Sequence, residues 1–361
     1  MGSLAIACVV GARPNFIKAA PLLAEFRRRP RFQPALIHTG QHFSPEMSGS
    51  FFSDLEIPPP DVNLEVGGGS HARQTAEVML RLEPVLAKTR PDALVVVGDV
   101  NSTVAAALVA AKLGIRVAHV EAGLRSFDRT MPEEINRIVT DAISDYLFAT
   151  EASGVRNLLA EGVPREKIFF VGNVMIDSLL RFREKARASD VLLRLCLEER
   201  NYAVATLHRP SNVDDPARLE QLVAMLAELS QRLPVVFPVH PRTRERMGRI
   251  PECNGRLLLT PPMPYLDFLR LIADARIVLT DSGGIQEETT VLQVPCLTLR
   301  DNTERPVTVE QGTNRLVGTD AKRAFEAAIE ALNAPPERKS IPELWDGRAS
   351  ERIADTLERV L

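Results

Sequence analysis

Several runs of this sequence set charged or imidazole side chains beside glycine or proline just after an apolar stretch. That arrangement puts polar groups at the end of a strand. In GARPNFIK, residues 11–18, Gly11 permits a tight turn, and Arg13 and Lys18 place two cations at a turn-to-helix junction suited to an anion. The same residues read equally well as solvated charges on a surface turn. GDVNST, residues 98–103, sets Asp99 directly after an apolar run, with Ser102 and Thr103 able to cap the next helix. An aspartate there is often only a cap, contributing about 1 kcal/mol. In AHVEAGLRSFD, residues 118–128, Glu121 follows His119 by two positions and shares one face of an extended segment with it. A carboxylate followed by Ala-Gly is badly placed for plain solvation, so function is the better reading. MPEEINR, residues 131–137, opens a helix with Pro132 and puts Glu133 and Glu134 in its first turn, where they would also compensate the helix dipole. Asp99, Glu121 and Glu133 project from neighbouring strand ends of one domain. Clustered like charges raise the pKa of one member and suit it to moving a proton.

The second half of the chain carries a different set. TLHRPSN, residues 206–212, and PVHPRT, residues 238–243, each end a strand with histidine and arginine: His208 with Arg209, and His240 with Arg242. One such histidine is usually structural; two in one domain suggest an anion. LTDSGGIQEE, residues 279–288, runs a strand through Asp281, Ser282, Gly283 and Gly284 into a helix. Two glycines there leave backbone N–H groups bare at a helix N-terminus, a site for phosphate. Glu287, one turn in, is placed to accept hydrogen bonds from ribose hydroxyls. RDNTERP, residues 300–306, brings further charge to the next strand end. This half therefore reads as a nucleoside-diphosphate binder, with the carboxylates supplied by the first half. A P-loop GxxxxGK[ST] is absent, and no GxGxxG follows the first strand, which disfavours NTP hydrolysis and nicotinamide chemistry.

The elements that must hold these residues alternate regularly. LAIACVV (4–10), ALIHT (35–39), ALVVVG (93–98), RVAHV (116–120) and YLFAT (146–150) are short, apolar and rich in β-branched residues, as strands buried on both faces are. Helical stretches separate them, from Phe16 to Arg29, Ala72 to Lys88 and Thr103 to Leu113, the last rich in alanine. After FFVGN (169–173) a second series follows: YAVATL (202–207), VVFPV (235–239), RLLLT (256–260), RIVLT (276–280) and PCLTL (295–299), separated by helices such as Arg218–Leu233 and Tyr265–Ala275. Strands alternating with helices give right-handed βαβ units and a parallel sheet. The expected fold class is α/β, with two Rossmann-like doubly wound domains. The first covers residues 1–171 and is completed by the last helix, 346–361; the second covers residues 172–345.

Composition narrows the function. The chain has 361 residues, 44 Lys+Arg against 47 Asp+Glu, and a formal charge of −3. That balance argues against nucleic-acid partners and a polybasic membrane anchor. No apolar run approaches the roughly 18 residues of a membrane span, and MGSLAIACVVGARPN lacks the features of a signal peptide. Cys8, Cys196, Cys253 and Cys296 are widely spaced, with no CxxC pair and no metal-ligand spacing, so no metal is expected and Cys8 and Cys296 read as buried thiols. A cytoplasmic protein is expected.

Taken in order, GARPNFIK, TGQH, GDVNST, HVEAGLR, MPEEINR, TLHRPSN, PVHPRT, TDSGGIQEE and LRDNTERP closely resemble the motifs of the non-hydrolysing UDP-N-acetylglucosamine 2-epimerases, from about residue 6 to residue 318. The resemblance implies a GT-B-like pair of domains facing each other across a cleft, with UDP on the C-terminal domain and the C-terminal helix crossing back to the first. It implies interconversion of UDP-N-acetylglucosamine and UDP-N-acetylmannosamine, by anti-elimination of UDP to 2-acetamidoglucal and re-addition, without a cofactor. Carried over by position, Asp99, Glu121, Glu133 and His208 are the catalytic residues. Arg13, Lys18, Arg137, His240, Ser282, Gly283 and Gly284 are assigned to the diphosphate and UDP, Glu287 to the ribose and Phe268 to the uracil. A UDP-sugar is the expected substrate and a homodimer the expected assembly. Two departures stand out: the well-known bacterial members read GTRPE where this chain has Asn15, and HRRE where it has Pro210 and Ser211. Asn15 directs attention to a related sugar, UDP-2,3-diacetamido-glucuronic acid. A hydrolysing epimerase and a GT-B glycosyltransferase are the remaining alternatives.

Overall fold

A computed structural model describes residues 2–40, 52–247, 255–335 and 337–361, without the side chains of Arg13, Pro241 and Arg242. The chain divides into two compact units, Met1–Arg181 with Glu343–Leu361, and Phe182–Pro342. The division falls inside a helix rather than at the Gly172-Asn173 turn where the sequence suggested it.

The first unit is built on β1 (Leu4–Val10), β2 (Phe32–His38), β3 (Val62–Asn63), β4 (Ala93–Val97), β5 (Arg116–Ala122), β6 (Tyr146–Ala149) and β7 (Ile168–Phe170). The strands pair in parallel in the order β3-β2-β1-β4-β5-β6-β7. The connecting helices are α1 (Arg13–Arg28), α2 (His71–Thr89), α3 (Asn101–Lys112), α4 (Pro132–Ile143), α5 (Ala152–Ala160) and α6 (Val174–Arg187). In α3 the alanines Ala105, Ala106, Ala107 and Ala110 are fully buried against Leu94 and Val96 of the sheet, which only small side chains allow at such close approach. Strand β2 begins earlier than its apolar run, taking in Pro34. This costs no ladder bond on the open side, because β3 reaches only Ile37 and His38.

The second unit repeats the plan with β8 (Ala203–Thr206), β9 (Val235–Pro238), β10 (Leu257–Thr260), β11 (Ile277–Thr280), β12 (Cys296–Thr298) and β13 (Asn314–Leu316), in the parallel order β10-β9-β8-β11-β12-β13. Its main helices are α7 (Pro216–Leu229), α8 (Tyr265–Ala273), α9 (Gly283–Leu292) and α10 (Ala321–Asn333). Leu222 and Leu226 of α7 and Ala324 and Ala328 of α10 bury against Phe237 and Leu279 of the sheet.

The last helix, α11 (Ala349–Val360), returns to the first unit and packs on α1. Its N-terminal donors meet Asp177 of α6, whose carboxylate accepts from Ala349 N (3.0 Å), Ser350 N (2.7 Å) and Ser350 Oγ (2.7 Å). Trp345 Nε1 donates to the Thr150 carbonyl at 3.0 Å. Gly172 lies at φ +87°, and a Cβ there would strike the Leu344 carbonyl, so the strap passes directly over this turn. Cys8 and Cys296 are buried free thiols, and burial pushes each up to about 12. Among the described residues, no helix is long and apolar enough to cross a membrane.

Candidate active site

In each sheet the strand order reverses once, between β1 and β4 and between β8 and β11. Loops diverge at such a switch point and leave a crevice at the C-terminal strand ends. Both groups of candidate residues sit at these two points.

In the first unit, β1 runs into Gly11 and Ala12 before α1. Asn15 Oδ1 accepts from Ala12 N at 3.0 Å, and Asn15 Nδ2 donates to the Val97 carbonyl at 2.8 Å, stapling the β1 turn to the end of β4. Asn15 is buried, and its amide is committed to backbone. The structure thus gives it a scaffold role between β1 and β4. Lys18, one turn on, forms a buried ion pair with Glu121 at the end of β5.

Glu121 is held unusually. Val120 pairs with Phe148 and Ala122 with Ala149, so Glu121 is the extra residue of a β-bulge. Its φ is +73°, in the left-handed region, which costs a non-glycine residue on the order of 1 kcal/mol or more. The strict alternation that would set Glu121 on the face of His119 does not survive the bulge. Its carboxylate meets Lys18, while His119 meets Asp141 and the Gly98 carbonyl.

Asp99 follows β4 and is partly exposed. Arg137 of α4, itself buried, donates from Nε to Asp99 Oδ2 at 3.0 Å and pairs through Nη1 with Glu134. Glu134 in turn accepts from Ser126 N (3.0 Å), Ser126 Oγ (3.0 Å) and Phe127 N (2.9 Å), fixing the loop beyond Glu121. Glu133 lies half-buried in the first turn of α4. Asp99 and Glu121 therefore each face a buried cation, so the carboxylates form ion pairs rather than the bare cluster of like charges the sequence suggested. The structure sets Arg137 and Lys18 against these carboxylates.

In the second unit, β8 ends at His208 and β11 at Asp281. The buried Asp281 carboxylate accepts from His208 N (3.0 Å), Arg209 N (2.9 Å) and Asn212 Nδ2 (3.1 Å), and lies 2.7 Å from His208 Nδ1. Burial alone would raise this acid, but His208 and these donors overcome it and hold the carboxyl down to about 2. With Nδ1 engaged, His208 is left to act through Nε2, and 56% of its side chain is exposed. Sequence reading noted Asp281 as part of a turn and missed that it anchors the imidazole; its place as the last residue before Ser-Gly-Gly was the available signal.

Ser282 precedes α9, and Gly283 and Gly284 form its first turn. A Cβ on Gly283 would collide with the guanidinium of Arg305, which lies against this helix start. Arg305 Nε donates to Glu287 Oε1 at 2.7 Å, and its Nη1 pairs with Glu304. Glu304 also accepts from Arg300 Nη2 at 2.7 Å. Glu287, assigned to the ribose, is thus buried and engaged by Arg305. His240 is exposed at the end of β9, the strand beside β8, and Phe268 is half-buried on α8. The side chains of Arg13 and Arg242, and Gln41 and His42 of TGQH, lie outside the described residues.

Acids matched to cations thus lie at one switch point, and an aspartate-anchored imidazole beside a glycine-rich helix start lies at the other, in two doubly wound units. The family model for UDP-N-acetylglucosamine 2-epimerase matches residues 24–358. A UDP-N-acetylglucosamine 2-epimerase of Methanocaldococcus jannaschii is 42% identical over 98% of this chain and 98% of its own. A UDP-2,3-diacetamido-2,3-dideoxy-D-glucuronate 2-epimerase of Pseudomonas aeruginosa is 41% identical over 98% of this chain and 99% of its own. The crystal structure of the M. jannaschii UDP-GlcNAc 2-epimerase with UDP-GlcNAc and UDP has a TM-score of 0.92 at 42% identity, covering 99% of this chain and 100% of that one. The chain belongs to the UDP-N-acetylglucosamine 2-epimerase family.

Proposed function

We propose that this protein interconverts UDP-N-acetylglucosamine and UDP-N-acetylmannosamine by eliminating UDP to form 2-acetamidoglucal and adding it back with the C2 proton on the other face. The observation that carries the reading is the buried, backbone-strained Glu121 with its Lys18 partner, at the same switch point as Asp99 and Arg137. The C2 proton of the substrate has no neighbouring carbonyl to acidify it. Its removal must accompany departure of the diphosphate, which requires a positioned carboxylate and a stabilised leaving group.

Asp99, Glu121 and Glu133 of the first unit take the proton-handling roles. Lys18 and Arg137 hold the Glu121 and Asp99 carboxylates in place through their ion pairs. In the second unit, His208, oriented through Asp281, donates from Nε2 to the departing diphosphate. The Ser282-Gly283-Gly284 helix start, the Arg13 guanidinium and the His240 imidazole assist it, and Phe268 flanks the uracil. Glu287 contacts the ribose once Arg305 shares its carboxylate.

Incubation with UDP-N-acetylglucosamine in deuterated water tests the reading by NMR. Formation of the manno epimer with deuterium at C2 supports it. Free N-acetylmannosamine as the only sugar product, or no turnover, overturns it. The Pseudomonas relative favours a second reading, the same reaction on UDP-2,3-diacetamido-glucuronic acid. Both substrates run in one assay decide between them by kcat/KM. The free thiols of Cys8 and Cys296 support a reducing compartment such as the cytoplasm. A homodimer is proposed as the working assembly, and sedimentation at a dimer's mass is the expected result.

A further inference from the structure

Behind Glu121 lies a buried ionic group that grips the backbone on both sides of the bulge. Its centre is Asp141, on α4. Asp141 Oδ1 lies 2.6 Å from His119 Nδ1, two residues before Glu121. Asp141 Oδ2 accepts from Gly123 N at 3.0 Å, two residues after Glu121, and pairs with Arg125 Nη2 at 2.7 Å. The other nitrogen of His119 donates to the Gly98 carbonyl at 2.9 Å, since a carbonyl can only accept. Gly98 N in turn donates to the Val120 carbonyl at 3.0 Å. One carboxylate therefore fixes the chain before and after Glu121 and, through His119, the residue preceding Asp99.

His119, Arg125 and Asp141 are each 3% exposed or less, so none of them is available to a substrate. Fold stability is a weak reason for such a group, because a buried ion pair is often no better than apolar residues of the same volume. Convergence on the one bulged, left-handed residue of β5 is the stronger reason. A strained backbone persists only where its surroundings over-determine it, and here Asp141 ties the chain on both sides of Glu121. The helix that carries Asp141 also carries Arg137, the partner of Asp99, so α4 braces both carboxylates.

We propose that Asp141, acting through His119 and Arg125, is a positioning residue that holds the Glu121 carboxylate, and with it the Gly98-Asp99 turn, in the geometry used for proton transfer at C2. The inference rests on the reading that Glu121 handles that proton.

The test is Asp141→Asn, which keeps shape but loses one acceptor and the negative charge. Misplacing a reacting group by about 1 Å costs roughly 10²-fold, so kcat and C2 deuterium exchange should fall together by about that factor. KM and UDP affinity should stay within about threefold. Combined with Glu121→Gln, the Asn variant should lower the residual rate hardly at all, because residues that act as a unit are non-additive. A folded Asp141→Asn protein with unchanged kcat, or a full further loss in the Glu121→Gln background, overturns the proposal. If Asp141→Asn does not fold, Arg125→Gln keeps the His119–Asp141 contact and is expected to lose about tenfold in kcat with KM unchanged; full activity in that variant counts equally against it. Full turnover by Glu121→Gln alone would instead sink the assignment of Glu121 itself.

Discussion

At the β1/β4 switch of the first unit the strand ends carry carboxylates, each set against a buried cation and held by side chains from other strands and helices. At the β8/β11 switch of the second unit they carry an imidazole, a glycine-rich helix start, and arginines. The two sheets have the same doubly wound order up to the switch, so topology alone does not choose the chemistry. The difference lies in what is rigid. In the first unit the acids are fixed by a bulge and a buried charge network. In the second, one buried aspartate fixes a loop whose histidine stays exposed. The first arrangement suits proton transfer, where a small displacement is costly; the second suits a ligand that must arrive and leave.

The largest expected effect separates these roles most sharply. Glu121→Gln and Asp99→Asn keep shape and remove the ionisable group. Turnover and C2 exchange should each fall by roughly 10²–10⁴-fold, while UDP affinity, measured by calorimetry, stays near wild type. Equal losses of UDP affinity would erase the division of labour between the units.

His208→Ala is the counterpart in the second unit. Asp281 keeps its backbone donors at 208 and 209 and its Asn212 contact, so the loop should stand without the ring. The rate should drop by about 10²-fold, the usual size for one electrostatic contact to developing charge, with a smaller loss in UDP affinity. Near-normal turnover would remove the imidazole from the reaction.

Parts of this comparison were legible in the sequence for definite reasons. Strands buried on both faces are unbroken apolar runs, so LAIACVV and RIVLT announced themselves, and in an α/β sheet their ends are where ligands bind. The edge strands β3 and β13 gave no such signal; Val62–Asn63 and Asn314–Leu316 are too short and too polar. The pairing of Lys18 with Glu121 joins residues far apart in sequence, which no local pattern encodes. The bulge that turns Glu121 away from its strand's alternation leaves no periodic trace. Asp141 reads on α4 as one more polar helical residue, and only the fold brings it beneath Gly123. The burial of Glu287 under Arg305 escaped for the same reason.

A smaller effect concerns acid. In the folded chain the Asp281 carboxyl is held down to about 2, against an ordinary value of about 3.9 unfolded. A depressed acid adds stability that is complete above its unfolded pKa and is lost as pH falls through the folded one. Asp281 should therefore contribute about 2 kcal/mol above pH ~4, vanishing near pH ~2. Urea midpoints measured from pH ~5 to ~2 should fall less steeply in Asp281→Asn. In the first unit, burial would raise Asp141, but His119 and Arg125 hold it below its ordinary value, so both units weaken in acid. An unchanged acid limb in Asp281→Asn would show that the titration of Asp281 contributes nothing to unfolding in acid.

The smallest effect isolates the helix start of the second unit. Gly283 is the first residue of α9, and its need for glycine comes from space, since a Cβ would collide with the Arg305 guanidinium. In Gly283→Ala that guanidinium must shift from between Glu287 and Glu304, and the added methyl also keeps a phosphate from the N–H groups of the turn. Alanine is otherwise the better helix former, but disturbing a buried ion-pair network outweighs that, so thermal stability should also fall. UDP affinity should weaken by about tenfold, equivalent to roughly 1.4 kcal/mol, and kcat at saturating substrate should change less than that. A variant that loses stability but keeps its UDP affinity would mean that the Arg305 contact serves only packing. It would also move the diphosphate away from this helix and onto the His208 strand end.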